Sequence, residues 1–328
     1  MCMRGGRVNT AASIFRWAQL RVHESLSFSC HKLKLDDFPM ITKVDRYLAG
    51  RQARLMSPAG RLVLINAMLD AIPTYAMAAT RLPPAVLAKL DSPWRVFLCN
   101  VADRASGAQC PVAWERLCRS KAEGGLGVRA LGVQNDCLLL KLLHCLHTRA
   151  PSQWASWIWG QLDGRSLLAP GRSPLEGEHW HALLGLLPVY RALTRVKVGD
   201  GRTTSFWHDG WLTCGPLRVA FPALFTHVVC PEITAWEACH RVRALLVPRL
   251  TPLAVRECAA VQQLVEGCAP GEAPDSRIAT LCAAPKGKFS SQEAYALSRF
   301  GGMEAAAASF LWSSRAPSLG YTYITTPC

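Results

Sequence analysis

A chain of 328 residues with 50% apolar content is long enough for one large or two ordinary domains and apolar enough to fill a core, which excludes a wholly disordered protein. Thirty-seven Lys+Arg against 23 Asp+Glu give a formal net charge of +14, and the excess is uneven: residues 1–150 hold 21 basic and 10 acidic side chains, the rest 16 and 13. The first half is therefore the part suited to a polyanionic partner.

The start, "MCMRGGRVNTAASIFRW", has no secretory apolar core. The 14 cysteines are accordingly expected as reduced thiols, none in a Cys-x-x-Cys pair, in a nuclear or cytoplasmic protein. The adjacent pair Asp36-Asp37 lacks the hairpin context of a two-metal site and reads as a helix-start or loop pair. From Met40 to Leu55 the apolar residues Ile41, Val44, Leu48 and Leu55 share a helical face, with Lys43, Arg46 and Arg54 away from it and Arg51 spoiling it. Ser57 and Pro58 give the next helix a cap and a first residue; Leu62, Ile65 and Leu69 follow at core spacing, and Pro73 is expected to end or kink it. In "PPAVLAKLDSPWRVFLCN" a helix starts at Pro84 and is expected to break at Pro93, which lacks the backbone donor, or to restart with Ser92 as cap.

After "GGLGVRALG", which has no third glycine at dinucleotide-loop spacing, the stretch Asn135 to His147 is strongly helical, with Leu138, Leu139, Leu142, Leu143 and Leu146 as its stripe. Cys137, His144, Cys145 and His147 lie on that one helix, whereas zinc sites usually draw on two separated pairs, so they read as ordinary helix residues; Cys230, Cys239 and His240 read likewise. "SQWASWIWGQL" is a short aromatic helix, and a linker runs from Leu162 to Glu178. The longest apolar runs, "CLLLKLLHCLH" and "ALLGLLPVY", fall short of the roughly 18–20 residues that cross a bilayer, so no membrane partner is expected.

In "VGDGRTTSFWHDGW", Val196 and Val198 alternate with polar residues before Gly199-Asp200-Gly201, and Thr204 and Phe206 alternate after it, which predicts a β-hairpin over about 194–211. His208 and Asp209 invite a catalytic dyad, but neighbours on a strand point to opposite faces. Residues 265–286 read as loose, and Ser290-x-x-Glu293 is a capping box that starts a short helix.

Four stretches in order, "LMSPAGRLVLINAMLDAIPTYAM", "AWERLCRSKAEGGLGV", "VGDGRTTSFWHDGW" with "FPALF", and "FSSQEAY" with "LWSSRAP", resemble the plant LINE-type (non-LTR) retrotransposon reverse transcriptases. Composition and spacing alone already give a basic, mainly α protein with no active site, and the resemblance agrees with that fold class. Residues 1–39 would be a poorly defined segment, 40–161 a helical thumb/connection-like region, 162–264 a linker and small α+β region with the hairpin, and 265–328 a loose, truncated start of the zinc-binding domain. The family's catalytic Tyr/Phe-x-Asp-Asp is absent, as are the magnesium ligands that go with it, and Cys328 alone is no zinc site. Arg51 and Cys99 stand where the family usually has Trp, and Pro93 interrupts a helix. The expectation is a catalytically incomplete chain without cofactor that binds RNA or DNA backbone non-specifically through Lys43, Arg46, Arg54, Arg61 and Arg95. The alternative is a protein–protein or structural module, or a decayed retroelement product without selected function.

Overall fold

The structure, a computed structural model, describes residues 39–48, 56–69, 71–99, 113–162, 175, 177–241, 245–266, 271–279 and 289–299. Among the described residues the protein is mainly helical with one small two-stranded antiparallel sheet. Its described residues fall into two compact units, the first within 39–139 and 295–299, the second within 140–294. Asp36-Asp37, Arg51, Arg54, the span 163–174, "LWSSRAP" and Cys328 lie outside the described residues.

The first unit begins with α1 (Pro39–Leu48), whose Val44 is buried while Met40, Ile41 and Leu48 pack on the same core. In α2 (Pro58–Leu64) the Ser57 hydroxyl accepts from Gly60 N at 3.2 Å, so the expected cap is present. A π-helical turn, Ile65–Leu69, follows, and α3 (Ala71–Ala79) starts afresh with Pro73 in its first turn, where a missing donor costs least. Pro58–Ala79, 22 residues of mean hydropathy 1.5, is long and apolar enough by length and composition to cross a membrane, contrary to the sequence expectation. Pro73 reads as a break in that run, yet an 18-residue window within it still averages 1.5. About a quarter of that window is buried, and the stretch buries Arg61, Ile65, Pro73 and Met77.

The helix α4 (Pro84–Cys99) runs through Pro93 without the expected break. Val86, Leu90, Trp94 and Phe97 are all buried at helical spacing on both sides of the proline. Burying such side chains is worth roughly 1.5–3 kcal/mol each, which outweighs the ~3 kcal/mol of an internal proline. A short turn, α5 (Trp114–Leu117), and the "GGLG" loop lead into α6 (Leu131–His147), where Asn135 is buried. Its amide ties the end of α3 in place, accepting from Leu82 N at 2.7 Å and donating to Met77 O at 2.7 Å and Thr80 O at 2.9 Å.

The second unit holds α7 (Gln153–Leu162), α8 (Glu178–Gly185), α9 (Leu187–Leu193), the single turns α10 (Leu217–Ala220) and α11 (Pro222–Phe225), α12 (Ala235–Arg241) and α13 (Pro252–Glu266). Phe206, Trp207, Leu217, Leu224, Ile233, Ala254 and Val261 form a buried cluster among them. The expected hairpin is not formed. Instead β1 (Thr194–Lys197) pairs with β2 (Ser276–Ala279), Thr194 opposite Ala279 and Lys197 opposite Ser276, in a stretch that reads as loose from sequence. The residues after the glycine turn, Thr203 to Trp207, are all buried, whereas a hairpin strand would alternate. Ser205 meets Thr234 in an isolated bridge. The Ser290 capping box is present: its hydroxyl accepts from Glu293 N at 3.3 Å and opens α14 (Ser291–Ser298).

Candidate functional site

The stretch Val198 to Trp211 wraps two buried charges supplied from 64 to 79 residues away in sequence, Asp275 and Arg277. Asp275 sits at the mouth of β2, and its carboxylate accepts five hydrogen bonds: from the N–H groups of Gly199 (2.7 Å), Gly201 (2.8 Å) and Thr203 (3.0 Å), and from the hydroxyls of Thr203 (3.0 Å) and Thr204 (2.7 Å). Burial raises this carboxyl, but the donors led by Gly199 and Thr204 together hold it below the usual carboxylate range. The glycines make the cradle possible. Gly201 has φ +69, and a Cβ on Gly199 would stand 2.1 Å from Ala273 O.

Beyond the cradle, the Arg277 guanidinium grips Asp209 with Nη1 to Oδ1 at 3.1 Å and Nη2 to Oδ2 at 2.5 Å, and donates to Thr203 O at 3.1 Å. Both side chains are withdrawn from solvent. Asp209 also accepts from Ser205 N at 2.7 Å and lies 3.6 Å from Arg191 Nε of α9. Arg191 reaches on to Glu232 at 3.5 Å, and Glu232 stands 3.3 Å from His208 Nε2. Burial, helped by Arg191 and Arg218, pushes the His208 ring down to about 4, so at neutral pH it meets Glu232 as a neutral imidazole, and burial pushes the Glu232 carboxyl up. His208 and Asp209 thus address different partners, and Asp209 has both oxygens committed. A base–orienter dyad needs the opposite arrangement.

Aromatic rings close the cluster. Arg277 lies 5.6 Å over the ring of Tyr190, His147 stacks on that ring at 5.0 Å and 11°, and His144 Nδ1 meets the Tyr190 hydroxyl at 3.1 Å. His147 is buried with neither ring nitrogen hydrogen-bonded, and burial first, then Arg277 and Arg191, pushes it well below its ordinary value. The Cys and His side chains of α6 go separate ways: Cys137 faces Ser298 at 3.9 Å, and His144 and His147 serve Tyr190.

The five cations expected to contact phosphates are spread over the first unit. Lys43 and Arg46 are exposed on α1, Arg95 is half-buried on α4, and Arg54 lies outside the described residues. Arg61 is 5% exposed and donates to Phe97 O at 3.4 Å, so it ties α2 to α4 rather than facing solvent. Local sequence reasoning missed Asp275, Arg277, Arg191 and Glu232. The one available signal was the spacing of Asp275, Arg277 and Ala279, which share one strand face and are all buried.

No protein-family model matches the chain, and no solved structure matches it. It is similar to "Putative ribonuclease H protein At1g65750" of Arabidopsis thaliana, 31% identical over 186 residues, which cover 54% of this chain and 29% of that protein. It is also similar to "Uncharacterized mitochondrial protein AtMg00310" of Arabidopsis thaliana, 31% identical over 148 residues, 43% of this chain and 93% of that protein. The chain thus spans less than a third of the first relative and nearly all of the second. Both similarities fit a plant retrotransposon-related protein, and neither specifies reverse transcription.

Proposed function

This chain belongs to the same family as the uncharacterized mitochondrial protein of Arabidopsis thaliana, and we propose that it is a retrotransposon-related protein that holds RNA or DNA by the phosphate backbone without reading base sequence. The observation that carries this reading is the charge asymmetry: 21 basic against 10 acidic side chains in residues 1–150, within a total of +14. Lys43 and Arg46, exposed on α1 away from buried Val44, supply cations of the kind that displace counterions from phosphates. A relative named for ribonuclease H is in keeping with nucleic acid as the partner. The finer affiliation, to the region that follows the palm of LINE-type reverse transcriptases, rests on the four ordered motifs and is part of the same proposal. The Val198–Trp211 stretch has a building role in it, because its donors and charges are consumed by Asp275, Arg277 and Arg191.

The test is a salt series of filter binding with single-stranded RNA and DNA of scrambled sequence. Affinity should fall steeply and log-linearly with salt and differ little among sequences. Absence of binding at low salt, or affinity indifferent to salt, contradicts the proposal.

A further inference from the structure

The loop "AWERLCRSKAEGGLGVRA" is not used by any of the features above, and it presents the densest exposed basic surface among the described residues. Arg116, Arg119, Lys121 and Arg129 are all exposed within fourteen residues, and no other described stretch of that length exposes as many basic side chains. What distinguishes it from an ordinary solvated charge run is how firmly its backbone is held. Leu126 N donates to Leu117 O at 3.1 Å, Gly125 N to Ser120 O at 2.9 Å and Gly127 N to Arg119 O at 2.9 Å, folding the chain back on itself. Gly125 is buried in that fold-back, where a Cβ would lie 2.2 Å from Arg119 O. Leu117, Leu126 and Val128 anchor both arms in the apolar core.

Of the two acids in the loop, Glu115 is exposed and Glu123 caps the turn. Glu123 Oε2 accepts from Ser120 N at 3.0 Å and from the Ser120 hydroxyl at 2.8 Å. Those two bonds, the hydroxyl first, hold its carboxyl below the ordinary range. The Glu123 carboxylate is thereby held on Ser120, with Arg119 close enough to stabilise its charge.

We propose that the Arg116–Arg129 turn is a preformed phosphodiester-backbone contact of the first unit, with Arg116 and Arg119 as its principal phosphate donors. This rests on the backbone-binding reading above and assigns it to a surface that reading did not contain. Arginine suits the role because its planar fork donates twice to a phosphate. A turn whose backbone is already fixed loses less freedom on binding than a cation on a loose segment.

The experiment measures fluorescence anisotropy of a labelled single-stranded RNA, and of DNA of the same sequence, with the full chain at several salt concentrations. Three double variants are compared with the parent: Arg116→Gln/Arg119→Gln, Arg116→Lys/Arg119→Lys and Lys43→Gln/Arg46→Gln. The Gln turn variant should weaken binding about tenfold at low salt and reduce the log-log salt slope by about 1.4, two phosphate contacts at about 0.7 each. The Lys variant should retain the slope, which shows that the loss follows charge and not folding. If the parent binds and the Gln turn variant matches it in affinity and slope, the turn assignment is wrong while the backbone-binding reading stands. If the parent binds neither nucleic acid, both fail. An equal loss by the Gln turn variant toward labelled polyglutamate would reduce the turn to general charge attraction and overturn it as a phosphodiester contact.

Discussion

The two units bury polar groups in different ways. The first sets them singly into an apolar core: Asn135 satisfies one backbone donor and two backbone acceptors, and Arg61 reaches one carbonyl. The second buries a connected set, running from the Asp275 cradle through Arg277 and Asp209 to Arg191 and Glu232. Isolated polar ties add specificity to a core that apolar burial already stabilises. A connected ionic set lets distant segments be recognised by charge, yet any lost member leaves a buried partner unpaired.

The largest expected effect breaks the set at its centre. Asp209→Ala leaves Arg277 buried without its bidentate partner and should cost about 3–5 kcal/mol, read as protection lost in the second unit by native-state hydrogen exchange. The first unit should keep its protection, and a uniform loss in both would erase the contrast. A smaller effect is expected at the cradle's backbone: Gly199→Ala should cost about 1–3 kcal/mol, because the new methyl meets carbonyl oxygens rather than a flexible side chain. Gly160→Ala is the matched control. Gly160 lies inside α7 with nothing within 4 Å of its added Cβ, so that change should raise the unfolding midpoint by the equivalent of about 0.5–1 kcal/mol.

Acidification should separate the units by sign. In the second, burial holds His147, His179 and His208 neutral, the latter two with values down to about 4. The unfolded chain takes up those protons once the pH falls below about 6.5, so this unit loses stability from there down to about pH 4. In the first, burial raises Asp91 from 3.8 to about 6, with Trp114 opposing and Glu115 adding. A raised carboxyl contributes stability that is fully present below about pH 3.8 and lost as the pH rises through about 6, so on moving from pH 7 to 5 the first unit gains. Hydrogen exchange corrected for intrinsic rates at the two pH values should show opposite trends, and Asp91→Asn should flatten the first.

Local chemistry made part of this fold legible. The Ser57 cap, the α6 stripe and the Ser290 capping box each depend on residues within a few positions, and each is found in place. Pro93 misled because its cost is local while the burial of Leu90, Trp94 and Phe97 that outweighs it is tertiary. The hairpin misled because period-2 spacing identifies a strand but not its partner, which lies about 80 residues on in a stretch whose Asp and Arg read as surface residues. The stretch over 194–211 is legible as a strand and glycine turn, but its strand pairs with β2 and not across a hairpin. Its meaning depends on Asp275, which no local window contains.

The central claim is that the Val198–Trp211 stretch builds the second unit by capturing Asp275, and urea unfolding of Asp275→Asn tests it most directly. The amide presents N–H to donors that need an acceptor, so the account predicts a lower midpoint for the second unit, equivalent to about 2–4 kcal/mol, with the slope unchanged. A midpoint equal to that of the parent protein would contradict it.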